Sequence, residues 1–142
     1  MVGKHPKRTA RPGIDEYGRS PLHYAAADGD SGTLERLLSD GADPNSQDDD
    51  GWTPAHFAAQ SNSAACLELL LRAGANLTLT NRHGNSVLFN AVFASRGNGE
   101  IIRMLRAAGA DAYARNSSGV SPLSLARTIA NYNVAQFFAD LP

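Results

Sequence analysis

Only one cysteine, Cys66, occurs in the 142 residues, so no internal disulfide can form, and no grouping of thiols marks a zinc site. A reducing compartment is the natural expectation. Aromatic residues are scarce at 7%, so a core has to be filled largely by small aliphatic side chains. No apolar run approaches the ~20 residues that a membrane-spanning helix needs. The charged N-terminus lacks the apolar stretch of a secretory signal. A soluble, cytoplasmic protein is expected, with no membrane partner. No segment keeps the two-residue alternation of a sheet strand, which leaves an all-α fold.

What is present is ordinary in amount and uneven in placement. Apolar residues at 42% and charged residues at 19% suit one globular domain. The formal net charge of −1 conceals three blocks: +4 over residues 1–13, −8 over 15–50 and +3 over 51–142. Such segregation concerns partners and solubility rather than fold. The first block, rich in Pro, Gly and cations, reads as a flexible basic arm over residues 1–14. Its four charges lack interleaved aromatics, so nucleic acid is disfavoured as a partner.

A fixed period dominates everything else. Gly18, Gly51, Gly84 and Gly119 are spaced by 33, 33 and 35 residues, and Gly41, Gly74 and Gly109 by 33 and 35. Both series gain two residues in one interval, which places an insertion inside the third unit. Four units follow, over about 15–47, 48–80, 81–115 and 116–142. Each opens with Ser20-Pro21, Thr53-Pro54, Ser86-Val87 or Ser121-Pro122, an N-cap followed by a residue suited to the first helical position. Alanines then mark where two backbones come close: Ala25 and Ala26, Ala58 and Ala59, Ala91, Ala126. A second helix carries apolar side chains at 3/4 spacing: Leu34, Leu37, Leu38; Leu67, Leu70, Leu71; Ile102, Leu105; Val134, Phe137, Phe138.

Ser20-Pro-Leu-His-Tyr-Ala-Ala, Thr53-Pro-Ala-His-Phe-Ala-Ala, Gly41-Ala-Asp-Pro-Asn and Gly74-Ala-Asn resemble the ankyrin repeat, and the resemblance runs over residues 15–142. It implies a solenoid of stacked helix-turn-helix units with β-hairpin-like fingers. The fourth unit is similar to a C-terminal cap, with Arg127 in place of the second alanine, as suits a face that no further repeat covers. The array is therefore expected to be complete within the chain.

The remaining chemistry is thin. His23 and His56 share a phase and stand a repeat apart, ~10 Å, too far to hold one metal ion. Each is expected to bridge repeats by hydrogen bonds instead. Cys66 lies on the second-helix stripe and reads as a small buried apolar side chain. Gly97 and Gly99 belong to the inserted turn, and Asp48-Asp49-Asp50 lacks the ligand order of a calcium loop. No enzyme activity, metal or cofactor is expected.

The resemblance implies that finger tips and outward first-helix positions form a concave recognition face. By phase these are Glu16, Tyr17, Arg19, Ala27 and Asp28; Asp49, Asp50, Trp52, Gln60 and Ser61; Arg82, His83, Asn85, Phe93 and Ala94; and Ser117, Ser118, Val120, Thr128 and Ile129. Tyr17, Trp52 and Phe93 are candidate aromatic anchors. The competing reading, favoured most for Phe93, is that each ring packs against its neighbouring finger. Asp15, Glu16, Asp28, Asp48, Asp49 and Asp50 map to the finger side of the first two units, with only Arg19 nearby, and suggest a partner with a basic surface. The expected function is a protein-binding scaffold, monomeric when free, acting by occlusion or tethering as a stand-alone inhibitor. Alternatives are a bacterial immunity or antitoxin protein covering a basic nuclease, and an adaptor or head-to-tail homo-oligomer.

Overall fold

The computed structural model describes residues 13–142; the arm expected over 1–14 falls almost wholly outside them. Seven α-helices and a final 3-10 turn are present among the described residues, with no sheet: α1 Pro21–Ala27, α2 Ser31–Ser39, α3 Pro54–Gln60, α4 Ala64–Arg72, α5 Val87–Ala94, α6 Glu100–Ala107, α7 Pro122–Thr128 and the turn Val134–Phe138. First helices stack in one row, α1 on α3 on α5 on α7, and second helices in another, α2 on α4 on α6.

The first row starts where its caps dictate. Thr53 Oγ1 accepts the His56 amide at 3.2 Å, and Ser121 Oγ accepts that of Ser124 at 3.1 Å. Alanine then lets neighbours approach: Ala26, Ala58, Ala59 and Ala91 are each 0% exposed. In the second row Leu34, Leu67, Leu70, Ile102 and Leu105 are buried and close the core from behind. Arg127, at the phase of Ala26 and Ala59, is exposed on the last first-row helix.

The fourth unit departs from the expected helix pair. Ile129 turns extended at ψ 115° and ends α7, and Val134–Phe138 form a 3-10 turn instead of an α-helix. Apolar residues at i, i+3 and i+4 serve either winding over so few residues. Val134 and Phe138 are buried as the pattern requires. The inserted glycines do more than lengthen a turn: a Cβ at Gly99 would overlap the Phe137 ring, and one at Gly97 would lie 3.1 Å from Tyr132 Cδ1. The insertion is a seat for the rings of the cap.

The fingers are turns of one design. Asp15, Asp48, Asn81 and Asn116 each receive, on Oδ1, the amides two and four residues on, at 2.8–3.1 Å. One backbone bond then ties each finger to the next: Asp49 N–H to Tyr17 O at 2.9 Å, Arg82 N–H to Asp50 O at 2.8 Å, and Ser117 N–H to His83 O at 2.9 Å. Close stacking leaves no room beside the finger glycines. A Cβ on Gly51, at φ +83°, would come within 2.9 Å of Asn81 Cα, whereas one on Gly119, at φ +77°, meets nothing within 4 Å because no finger stacks beyond it.

These two positions separate backbone strain from stacking. Gly119→Ala pays only the left-handed conformation, ~1–2 kcal/mol. Gly51→Ala adds a backbone overlap and is expected to lose roughly 1–3 kcal/mol more, the usual cost of overpacking. Urea denaturation of the two variants measures the difference; equal losses would show that the fingers do not stack.

Candidate protein-binding face

At the first two fingers, side chains expected to face a partner are largely engaged with one another. Asp48, with a side chain 1% exposed, takes Arg19 Nε at 3.2 Å. Arg19 also lies over three rings, 5.1 Å from the centre of Tyr17, 5.4 Å from Phe57 and 6.0 Å from Tyr24. Cations so placed gain from the ring quadrupole. Trp52 is half-buried, 4.8 Å from the Phe57 ring and 5.9 Å from His56. The Tyr24 hydroxyl donates to Asp15 Oδ2, which holds that carboxyl below the usual carboxylate range.

The expected acidic field is accordingly smaller than the count of acids. Asp15 and Asp48 build turns, and Asp50 pairs with Arg82 at 2.9 Å, so Arg19 is not the sole cation nearby. Glu16, Asp28 and Asp49 remain exposed. In the second unit Gln60 is exposed at the end of α3; in the third, Asn85 accepts from Asn116 Nδ2 at 2.9 Å and His83 is exposed. Phe93, for which packing against a finger was the favoured reading, is 68% exposed, the most open large apolar side chain described. Tyr17 follows at 54%.

Sequence reasoning passed over Tyr24 and Phe57, which share one phase and complete the ring cluster around Arg19. The signal was available, since both directly follow the histidine in the repeated motif. It also passed over Asn62 and Arg96, the two non-glycine residues with positive φ among the described residues, at 57° and 49°. Arg96 lies in the insertion, the one irregularity of spacing.

His23 and His56 bridge repeats, as their shared phase suggested. Nδ1 of each accepts a backbone N–H from its own cap, Ser20 at 3.0 Å and Thr53 at 3.2 Å. That assigns the proton to Nε2, which donates onward: His23 to Ser46 O at 3.0 Å and Trp52 O at 3.1 Å, His56 to Asn85 O at 2.9 Å. Burial lowers both imidazoles below their ordinary value of 6.5, against a smaller opposing effect of those carbonyls. Cys66 is fully buried, and burial raises its thiol. Among the described residues, no group of three or more His, Cys, Asp or Glu is arranged to hold a metal ion, and no helix is long and apolar enough to cross a membrane.

Stacked helix pairs with a row of hydrogen-bonded fingers define a solenoid repeat protein. A family model described as ankyrin repeats (3 copies) matches residues 22–116, and the chain belongs to the ankyrin-repeat family. The match ends at Asn116, where the fourth finger opens, so the unit with the 3-10 turn lies beyond it. No curated protein matches the chain. Ankyrin repeats serve in general as protein–protein interaction modules.

The bridging histidines make stability depend on pH with a definite sign. A group whose native value is lowered binds protons more readily when unfolded, so stability is full above 6.5 and is lost as pH falls through that value toward the native one. Urea midpoints measured from pH 7.5 down to 5 are expected to fall, and the slope to be shallower for His56→Gln. A flat wild-type profile would mean that the imidazoles are not held neutral.

Proposed function

We propose that the chain binds one partner protein through the face made by its finger tips and the ends of its first helices, acting by occlusion or tethering as a stand-alone inhibitor in the cytoplasm. The observation that carries this reading is the exposure of Phe93 and Tyr17 at 68% and 54% on a face whose backbone is fixed by finger-to-finger bonds. Exposed aromatics on a rigid surface supply contact area at little entropic cost, which is how binding anchors work. Trp52, Arg19 and Asn85 support that face by holding its neighbours, and contribute less through direct contact. The role is binding, not catalysis.

A partner with a basic surface fits the first two units, where Glu16, Asp28 and Asp49 are exposed. An immunity protein covering a basic nuclease would be one such case.

Capture from the native cell is the direct test. The captured protein should be lost with Tyr17→Ala combined with Phe93→Ala, and retained with Arg72→Ala on the far side of α4. Retention by the front-face variant would overturn the assignment of the face. Charge is tested by rate. Glu16→Lys with Asp28→Lys is expected to slow association by about an order of magnitude at low salt, the scale of electrostatic steering. The difference should shrink as salt shortens the Debye length from ~10 Å at 0.1 M to ~3 Å at 1 M. An association rate indifferent to both salt and substitution would exclude a basic partner.

A further inference from the structure

Between the ends of α3 and α5 lies an open cleft of about 470 Å³, lined by Gln60, Ser61, Asn62, Phe93, Ala94 and Arg96. Its size falls in the range of sites that seat a ligand or an anchoring side chain. Two features of the lining specify what it would take. Phe93 offers an exposed aromatic ring. Arg96 takes part in none of the four ion pairs among the described residues, which leaves a cation on the rim with no acid of its own. Asn62 donates through Nδ2 to Ala94 O at 2.8 Å, while its buried Oδ1 has no donor among the described residues. The cleft thus presents an exposed ring and a positive charge side by side, with the Asn62 amide oxygen buried behind them.

We infer that this cleft is the anchor pocket for a segment of the partner protein in which a bulky apolar side chain stands next to a carboxylate. The apolar side chain covers Phe93. The carboxylate meets the guanidinium of Arg96, whose planar donors match it in pairs. Arg96 is the only charged residue of the lining, and a single cation among amides suits one carboxylate better than the dense charge of a phosphate backbone.

The inference rests on the front-face reading above and refines the partner it requires. The exposed acids Glu16 and Asp28 lie in the first unit and Arg96 in the third. Two repeats span ~20 Å, or roughly six residues of extended chain. The matching segment therefore carries cations at one end and the apolar–acidic pair about six residues away, so the face reads polarity as well as charge.

The test uses the full chain, immobilised, against a displayed library of random twelve-residue peptides. Enriched peptides should carry a bulky apolar residue beside Asp or Glu. Their affinity, read by fluorescence anisotropy, should weaken at least about tenfold with Phe93→Ala, the behaviour of an anchor. Arg96→Glu should weaken it too, and exchanging the peptide's acid for lysine should restore binding to that variant alone. Both side chains are exposed, so melting temperatures should hold, which separates lost binding from lost folding. Three results would overturn the pocket: no enrichment, enrichment without the apolar–acidic pair, or peptides that bind both variants as tightly as the wild type. If peptides bind but respond only to Glu16→Lys with Asp28→Lys, the face stands and the cleft falls. If no front-face substitution matters, the face falls as well.

Discussion

Everything in this array depends on one close approach, that of each first helix to the next. Ala26, Ala58, Ala59 and Ala91 are fully buried along that row, and a larger side chain at any of them would push neighbouring repeats apart. Once helices sit this close, the polar backbone groups between repeats have to be satisfied within a narrow gap. The fingers and histidines supply that satisfaction. Each finger after the first donates one backbone bond sideways, and His23 and His56 carry a bond from their own cap to a carbonyl of the following unit, Trp52 O and Asn85 O. A protonated imidazole would turn Nδ1 from acceptor to donor against a backbone N–H, so the same feature that sets the spacing also sets a lower limit of pH. Stability in such a stack is the sum of units and of interfaces between neighbours.

Features that repeat locally were legible from the residues. Ser or Thr before Pro specifies a helix start, alanine specifies contact, and a 33-residue phase puts them in register. The final turn was not legible, because Val134, Phe137 and Phe138 satisfy an α-helix and a 3-10 turn alike. The rim was legible as a set of positions but not as a set of free side chains. Composition counts Asp48 as a surface acid, whereas its Oδ1 is committed to the amides of Asp50 and Trp52 and its Oδ2 to Arg19. A sign of this was present: Asn81 and Asn116 occupy the phase of Asp15 and Asp48. A position filled equally by Asn and Asp calls for a side-chain oxygen and not for a charge.

The same reasoning divides the rim into two populations. Arg19, Trp52, Phe57 and Tyr24 are held in mutual contact, and their rings and cation fix the first two fingers against the helices behind them. Truncating any of these removes packing first and a contact surface second. Phe93, Glu16 and Asp28 have no comparable support, and Tyr17, although Arg19 lies over its ring, is more than half exposed. Binding energy in protein interfaces concentrates in a few exposed anchors on a pre-organised frame, and the proposed face rests on that division.

The third unit departs most from the repeated pattern, and its departures lie together. Val87 stands for proline, Phe89 for histidine, Asn90 for the ring found at Tyr24 and Phe57, and two extra residues precede α6. With Phe89 unable to bridge, the fourth unit is tied instead by the Asn85–Asn116 side-chain bond and the Ser117–His83 backbone bond. Asn90 is buried with Nδ2 lacking a partner among the described residues, a cost its equivalents do not bear. α5 tolerates this because helices cover it on both sides, with Val87, Leu88, Ala91 and Val92 at 0–1% exposure. The stability surrendered in this unit lies beside an uncovered phenylalanine and an arginine with no ion pair among the described residues, which is where the proposed cleft sits. The third repeat, like the second, is shielded by neighbours on both sides and can bear that loss.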